Sequence, residues 1–363
     1  MMRSNHQPIL IGGCGSSGTT LVATLLAASS SIFCGPELNL FNKKELYSRP
    51  FQYKAQDFGI LLHGGLSTTS TLNTVFLSPS TFLRPRTDRN FMLNLNVYGY
   101  NHREVCDLAA SCDDFRHFID AFYERPLSFA NKKVWAEKSP TNIYCIQEFL
   151  SLYPSGRYIH VVRDGRDVIP SLMQRGYTPE AAVRRWIHDT VAGYPHRKSN
   201  RYIEVKYEDL VNRPEETLEI LLGFLHIDER AATVLQNAKN NNGVYKGLKT
   251  WGIQPNQEIS AKAMFKWKQG QFWHKGFIEQ LFCRTCLAAR IAARWGLPVP
   301  CTGNEALSLF GYDSTDEWNR KPGYGLRFIW HYLQERLFSI LSPRKLCCTV
   351  SFFESKRQII ESC

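Results

Sequence analysis

Acidic residues are in short supply, with 33 Asp and Glu against 44 Lys and Arg in 363 residues, which leaves a formal charge of +11. Such an excess draws nucleotides, nucleic acid, acidic glycans or anionic lipid to a surface without choosing among them. Neither a basic strand interleaved with aromatics nor a helix-turn-helix pattern is present, so nucleic acid is set aside as a partner. A charged and apolar leader is missing too, because the first strand signal begins within the first dozen residues; this predicts no signal peptide and a cytoplasmic protein. The eleven cysteines lack the spacing a metal needs. Cys283 and Cys286 form one C-x-x-C with no second ligand pair, and Cys347 and Cys348 are adjacent, so reduced core thiols and no metal are expected. Near the C-terminus, residues 326–341 place Ile329, Trp330, Leu333, Leu337, Ile340 and Leu341 on one helical face. The stretch is broken by charge and falls short of the roughly 18 apolar residues a membrane span requires. It is expected to pack on the domain, or alternatively to lie on a membrane with Arg344 and Lys345 at the headgroups.

What is present begins with an ordinary globular composition, 44% hydrophobic and 21% charged, ample for one large α/β core. The expected organisation is a main domain over residues 1–300 and an extension over 301–363. Ile9, Leu10 and Ile11 read as a buried strand that turns through Gly12, Gly13, Gly15 and Gly18 into an apolar helix over 20–28. A glycine-rich turn at a helix start aims backbone N–H groups and the positive end of a helix dipole at one spot, which suits a phosphate. Ser16, Ser17, Thr19 and Thr20 add hydroxyl donors there. The spacing from Gly13 to Gly18 is that of a nucleotide triphosphatase loop, yet Thr19 stands where the phosphate-gripping lysine belongs. A ligand with less terminal charge than ATP, bound without obligatory magnesium, fits better.

Further along, a short apolar run ends in a turn presenting Glu37, a candidate general base whose bland alternative is a solvated carboxylate. Residues 41–131 are irregular and too long for a simple connection, and are expected to form a helical, substrate-facing insert. Its Arg84, Arg86 and Arg89 are read as a solvated face. A second core strand ends at Lys138, where open α/β sheets meet their ligands, and a helix is expected over 142–152. The strand 157–162 delivers Arg163, with Ser171 eight residues on, a pair suited to clamp a second phosphate; the alternative is an ion pair of Arg163 with Asp164 or Asp167. His160 within that strand reads as a satisfied core histidine. Helices over 179–191 and 215–225 flank a strand at 201–205, and a loop over 237–243 follows. The alternation predicts a parallel, doubly wound sheet with helices on both faces. Lys266, Trp267 and Lys268 gather donors and a ring in a stretch that would close over a nucleotide.

Taken together, G-C-G-S-S-G-T-T-L, V-V-R-D-G-R-D-V-I-P-S and V-K-Y-E-D-L-V-N-R-P resemble, in order, the 5′-phosphosulfate loop, the 3′-phosphate clamp and the later strand–turn–helix signature of the P-loop sulfotransferases that use 3′-phosphoadenosine 5′-phosphosulfate (PAPS). The resemblance covers residues 8–40 and 130–228, more faintly 260–296, and is nearest to the bacterial and tyrosylprotein branches. It implies an enzyme that moves a sulfuryl group from PAPS to an acceptor hydroxyl, releasing 3′-phosphoadenosine 5′-phosphate (PAP). It also implies that Gly15, Ser16, Ser17, Gly18, Thr19 and Thr20 hold the 5′ end, Arg163 and Ser171 the 3′-phosphate, and Tyr207 the adenine. Glu37 takes the place of a catalytic base, Lys138 that of a lysine beside the transferred group, and Lys266 that of a further cation. Those branches often read P-R-S-G-T-T-L in the loop; Gly15 and Ser16 replace the proline and arginine, so Lys138 or Lys266 is expected to supply the missing charge. The acceptor is expected to be a glycan or glycolipid. The competing functions are a small-molecule kinase, disfavoured by Thr19, and a non-catalytic anion- or glycan-binding module.

Overall fold

The computed structural model describes residues 7–43, 46–47, 50, 94–175, 177, 179–240, 264, 267 and 302–313. The insert arginines 84, 86 and 89, Lys266, both cysteine pairs, and the helix expected over 326–341 lie outside the described residues. The described chain divides into two compact units.

The first unit is built on five strands, β1 (Ile9–Gly13), β2 (Ile32–Cys34), β3 (Val134–Lys138), β4 (Arg157–Val162) and β5 (Tyr202–Lys206), in the order β2-β3-β1-β4-β5. Every pairing is parallel, as the α/β alternation predicts. From β1 the chain moves out to β2, returns through β3, and then crosses to β4 on the other side of β1. Such a reversal of direction opens a crevice at the carboxyl ends of β1 and its neighbours, where ligands of open α/β sheets bind.

Side chains alternate across this sheet, and each face has its own cover. On one face Ile9, Ile11, Ile32, Ala136, Ile159, Val161 and Val205 pack with α1 (Thr19–Ala27), α8 (Pro214–Leu225) and α9 (Ala231–Lys239). The other face is aromatic. Trp135 stacks on Tyr123 with ring centroids 4.3 Å apart and on Phe41 at 5.7 Å. Tyr123 comes from α3 (Phe115–Ala130), which follows α2 (His102–Ala110); Phe149 and Tyr153 of the same face come from α4 (Ile146–Leu152) and its end. Thus α3, within the segment expected to face substrate, buries Phe115, Phe118, Ile119 and Phe122 and forms part of the core.

Two expected boundaries move. The helix expected from residue 142 begins as a 3-10 turn, Pro140–Tyr144, and its α-helical part starts at Ile146, after Cys145, whose backbone at φ −128° is not helical. The helix α9 runs through Lys239, into the segment expected to be loop. The second unit contains α5 (Gly165–Gln174), α6 (Pro179–Val191) and α10 (Gly303–Leu309). Among the described residues no helix is long and apolar enough to cross a membrane.

Candidate active site

The loop between β1 and α1 is made by two left-handed residues, Ser16 at φ 73° and Gly18 at φ 95°, with the Ser17 N–H donating to the Cys14 carbonyl at 3.0 Å. A Cβ on Gly18 would lie 2.4 Å from Cδ2 of Tyr207, so glycine is needed there for space as well as for backbone hand. No side chain caps α1; the Leu21 N–H donates to the Gly18 carbonyl at 2.9 Å, and the N–H groups before it have no acceptor within the helix. Gly15 and Thr19 are buried, and Thr20 is half-buried. Ser17 is fully buried and its Oγ has no hydrogen-bond partner. A buried hydroxyl left unpaired costs about 1–3 kcal/mol. With open helix amides beside it, that orphan donor matches an anionic ligand oxygen.

The carboxyl end of β4 comes next to this loop because Gly13 pairs with Val161, two residues before Arg163. The Arg163 Nη1 donates to the Ser16 carbonyl at 3.0 Å, and the guanidinium stands 4.3 Å from the centroid of the Tyr207 ring. Tyr207 opens α7 (Tyr207–Asn212) at the end of β5, so its ring is shared between Gly18 and Arg163. The structure therefore brings Arg163, Tyr207 and the loop together, and the cation it puts on Ser16 is Arg163. The bidentate partner of Asp164 is Arg166, at 2.7 Å, within the second unit. Ser171 is half-buried on α5 of that unit. Trp267, the described neighbour of Lys266, is buried with its ring 3.9 Å from the Arg166 guanidinium, and its backbone N–H donates to Asp167 Oδ1 at 3.3 Å.

Across β1, Ile11 pairs with Lys138, which sets the end of β3 beside the start of the loop. Lys138 Nζ lies 3.2 Å from Glu37 Oε2, with the lysine side chain 6% and the glutamate 28% exposed. The pair is thus a nearly enclosed ammonium facing a carboxylate that solvent or an acceptor still reaches. His160 is buried against Tyr202, with Nδ1 2.6 Å from the phenol oxygen, and burial together with Arg197 and His196 pushes its pKa down to about 3. It is a neutral core histidine, as the sequence implies.

The sequence assigns no role to three buried polar residues close to Glu37. Glu137, Ser139 and Asn142 are fully buried beside the ion pair. Their signal was available in the strand period, since Trp135 and Glu137 share a face and a carboxylate two residues from a core tryptophan must find donors. Burial raises the Glu137 carboxyl above its usual range, against hydrogen bonds from Ser139, Asn142 and Leu38 that favour its charged form. Among the described residues there is no group of His, Cys, Asp and Glu arranged to hold a metal ion.

A model of the sulfotransferase family matches residues 8–230. A protein-tyrosine sulfotransferase of Drosophila melanogaster is 22% identical over 274 residues, 71% of this chain and 46% of its own. Protein-tyrosine sulfotransferase 1 of Danio rerio is 25% identical over 233 residues, 60% of this chain and 53% of its own. The chain spans about half the length of these curated relatives. Among solved structures, the sulfotransferase domain from the curacin biosynthetic pathway aligns with a TM-score of 0.47 and 19% identity, covering 81% of this chain and 99% of that one. Because the family match begins at Pro8, just before β1, and extends through all five strands to Arg230, the N-cap of α9, the chain belongs to the sulfotransferase family.

Proposed function

We propose that this chain transfers a sulfuryl group from PAPS to an acceptor hydroxyl, with Glu37 as general base and Lys138 as the cation beside the transferred group. The observation that supports this most is the Glu37–Lys138 contact, 3.2 Å long, at the end of the strand paired with the loop-bearing strand. When bound, PAPS supplies an activated sulfuryl group at its 5′ end and a second anion at its 3′ position. The loop residues Gly15, Ser16, Ser17, Gly18, Thr19 and Thr20 would hold the first, chiefly through backbone N–H groups and the Ser17 hydroxyl. Arg163 would meet the second, and Tyr207 would present its ring to the adenine.

Glu37 has both access and a charge partner. As its carboxylate takes the acceptor proton, it loses the charge that engages Lys138, and the ammonium is freed to donate toward oxygen on which negative charge develops. Proton removal and electrophilic assistance are thereby coupled through one ion pair. Thr19 in the lysine position suits a group carrying less charge than a γ-phosphoryl.

The acceptor reading is a hydroxyl. The expected glycan or glycolipid preference rests on the cytoplasmic expectation and on a C-terminal stretch, outside the described residues, expected to be able to lie on a membrane, whereas the two curated relatives are protein-tyrosine sulfotransferases; the test therefore pairs tyrosyl peptides with glycans and glycolipids. Purified protein should show a PAPS-dependent rise in melting temperature and transfer labelled sulfate to at least one member of such a panel. Glu37→Gln should cut turnover to a low residual rate and keep PAPS binding. Full activity in that variant would remove Glu37 from the mechanism, and magnesium-dependent ATP turnover without sulfate transfer would replace the whole reading by a kinase.

A further inference from the structure

Four consecutive backbone groups around Glu37 are each held by a side chain. The Tyr98 hydroxyl donates to the Pro36 carbonyl at 2.6 Å, and Asn94 Nδ2 to the Glu37 carbonyl at 2.8 Å. On the far side, the Leu38 N–H donates to Glu137 Oε1 at 3.2 Å and the Asn39 N–H to Ser139 Oγ at 3.0 Å. Ser139 in turn donates to Glu137 Oε1 at 2.5 Å, while Asn142 Nδ2 donates both to Glu137 Oε2 and to the Ile11 carbonyl of β1. Glu137 is the hub of this set. It is fully buried, receives three donors and ties the turn after β2 to β3 and, through Asn142, to the loop-bearing strand.

Such a hub is costly unless it does something. Burying a carboxylate is unfavourable even when it is hydrogen-bonded, and an apolar residue beside Trp135 would serve packing alone. The backbone at Asn39 is left-handed, φ 55°, a conformation asparagine adopts more readily than most residues, and its N–H is met by the Ser139 hydroxyl. We infer that Glu137 is a positioning residue, whose buried carboxylate pins residues 38–39 so that the Glu37 side chain is held against Lys138. This rests on the proposed roles of Glu37 and Lys138 and extends them to a residue that touches neither acceptor nor nucleotide.

The test combines kinetics with a direct readout of the turn. In Glu137→Gln one acceptor oxygen becomes an amide NH2 group facing donors, so at least one of the three bonds is lost. We expect kcat to fall by about tenfold or more, with KM for PAPS unchanged, as for a small misplacement of a catalytic group. Adding Glu137→Gln to Glu37→Gln should cost nothing further, because a residue that acts only through Glu37 has no effect once Glu37 is disabled. Amide hydrogen exchange should speed up in peptides covering residues 38–39 and stay as in wild type across α1. Ser139→Ala, a smaller change should the glutamine variant fold poorly, should reproduce both effects in weaker form. Independent, additive losses in the double variant, a kcat equal to wild type, or unchanged exchange at residues 38–39 would each overturn the assignment. If the wild-type chain transfers no sulfate to any acceptor, the catalytic reading fails by itself, and the exchange of residues 38–39 still decides whether Glu137 holds the turn.

Discussion

Ser17→Ala separates the free protein from the liganded one by sign. In the structure the Ser17 Oγ is buried with no hydrogen-bond partner, a state that costs about 1–3 kcal/mol relative to a satisfied hydroxyl. Removing the oxygen removes that cost and leaves a methyl in a closed site, so the unliganded variant should be more stable by about 1 kcal/mol. For a chain of 363 residues, whose unfolding entropy is about 2.1 cal/mol/K per residue, the melting temperature should rise by about 1 °C. With ligand the same oxygen donates to an anion, and a charge-assisted bond contributes about 1.5–3 kcal/mol. Its loss should weaken PAP binding by roughly 10- to 100-fold, at about 1.4 kcal/mol per factor of ten. Differential scanning calorimetry without nucleotide and titration calorimetry with PAP measure the two halves separately. A free variant less stable than wild type would mean the hydroxyl is satisfied in the unliganded protein, and unchanged PAP affinity would remove Ser17 from the anion site; either result refutes the reasoning.

Gly18→Ala should act in the opposite sense to Ser17→Ala in the free protein. At φ 95° a Cβ is strained by about 1–2 kcal/mol, and it must also displace the Tyr207 ring, 2.4 Å away, and with it the Arg163 guanidinium above that ring. Lower thermal stability together with at least tenfold weaker PAP binding is expected, and a variant matching wild type in both would show that the loop relaxes freely. His160 governs an acid limb. Its folded pKa of about 3 lies below the ordinary value of 6.5, so between these pH values the unfolded chain binds a proton that the folded chain does not. Stability present above pH 6.5 is then lost as pH falls, by about 1.4 kcal/mol per pH unit from this residue. Chemical denaturation of His160→Gln across pH 4–7 should show a shallower slope, and an unchanged slope would assign the acid limb to other groups.

Much of the scaffold was legible in the chain because it is written in local periods. The apolar runs at Ile9–Gly13 and Arg157–Val162, each followed by polar or glycine residues and a helical pattern, are the two strands that flank the crevice. Parallel pairing follows from the helices that intervene. Less legible was β2, only three residues long, because so short a run does not establish a period. The segment before β3 read as an insert, yet α3 is core; its Phe115, Phe118, Phe122 and Tyr123 do keep helical spacing, but only the facing Trp135 and Phe41 say what they pack against.

At the candidate site the division is similar. Gly18, Thr19 and the absent lysine were visible because a loop closes within a handful of residues, and the identity of each residue limits what it can bind. Glu37 and Lys138 stand 101 positions apart in the chain, and each alone is an ordinary surface charge by residue type. What the sequence by itself determined is the loop, the direction of the sheet and the chemistry available at each strand end, since these depend on short-range backbone and side-chain preferences. Only the tertiary structure decided that Lys138 meets Glu37, that Arg163 sits on the carbonyl of Ser16 over the ring of Tyr207, and that Glu137 is buried behind them. The registers of β1 with β3 and β4 bring distant strand ends within hydrogen-bonding distance, and no local pattern encodes such a distance.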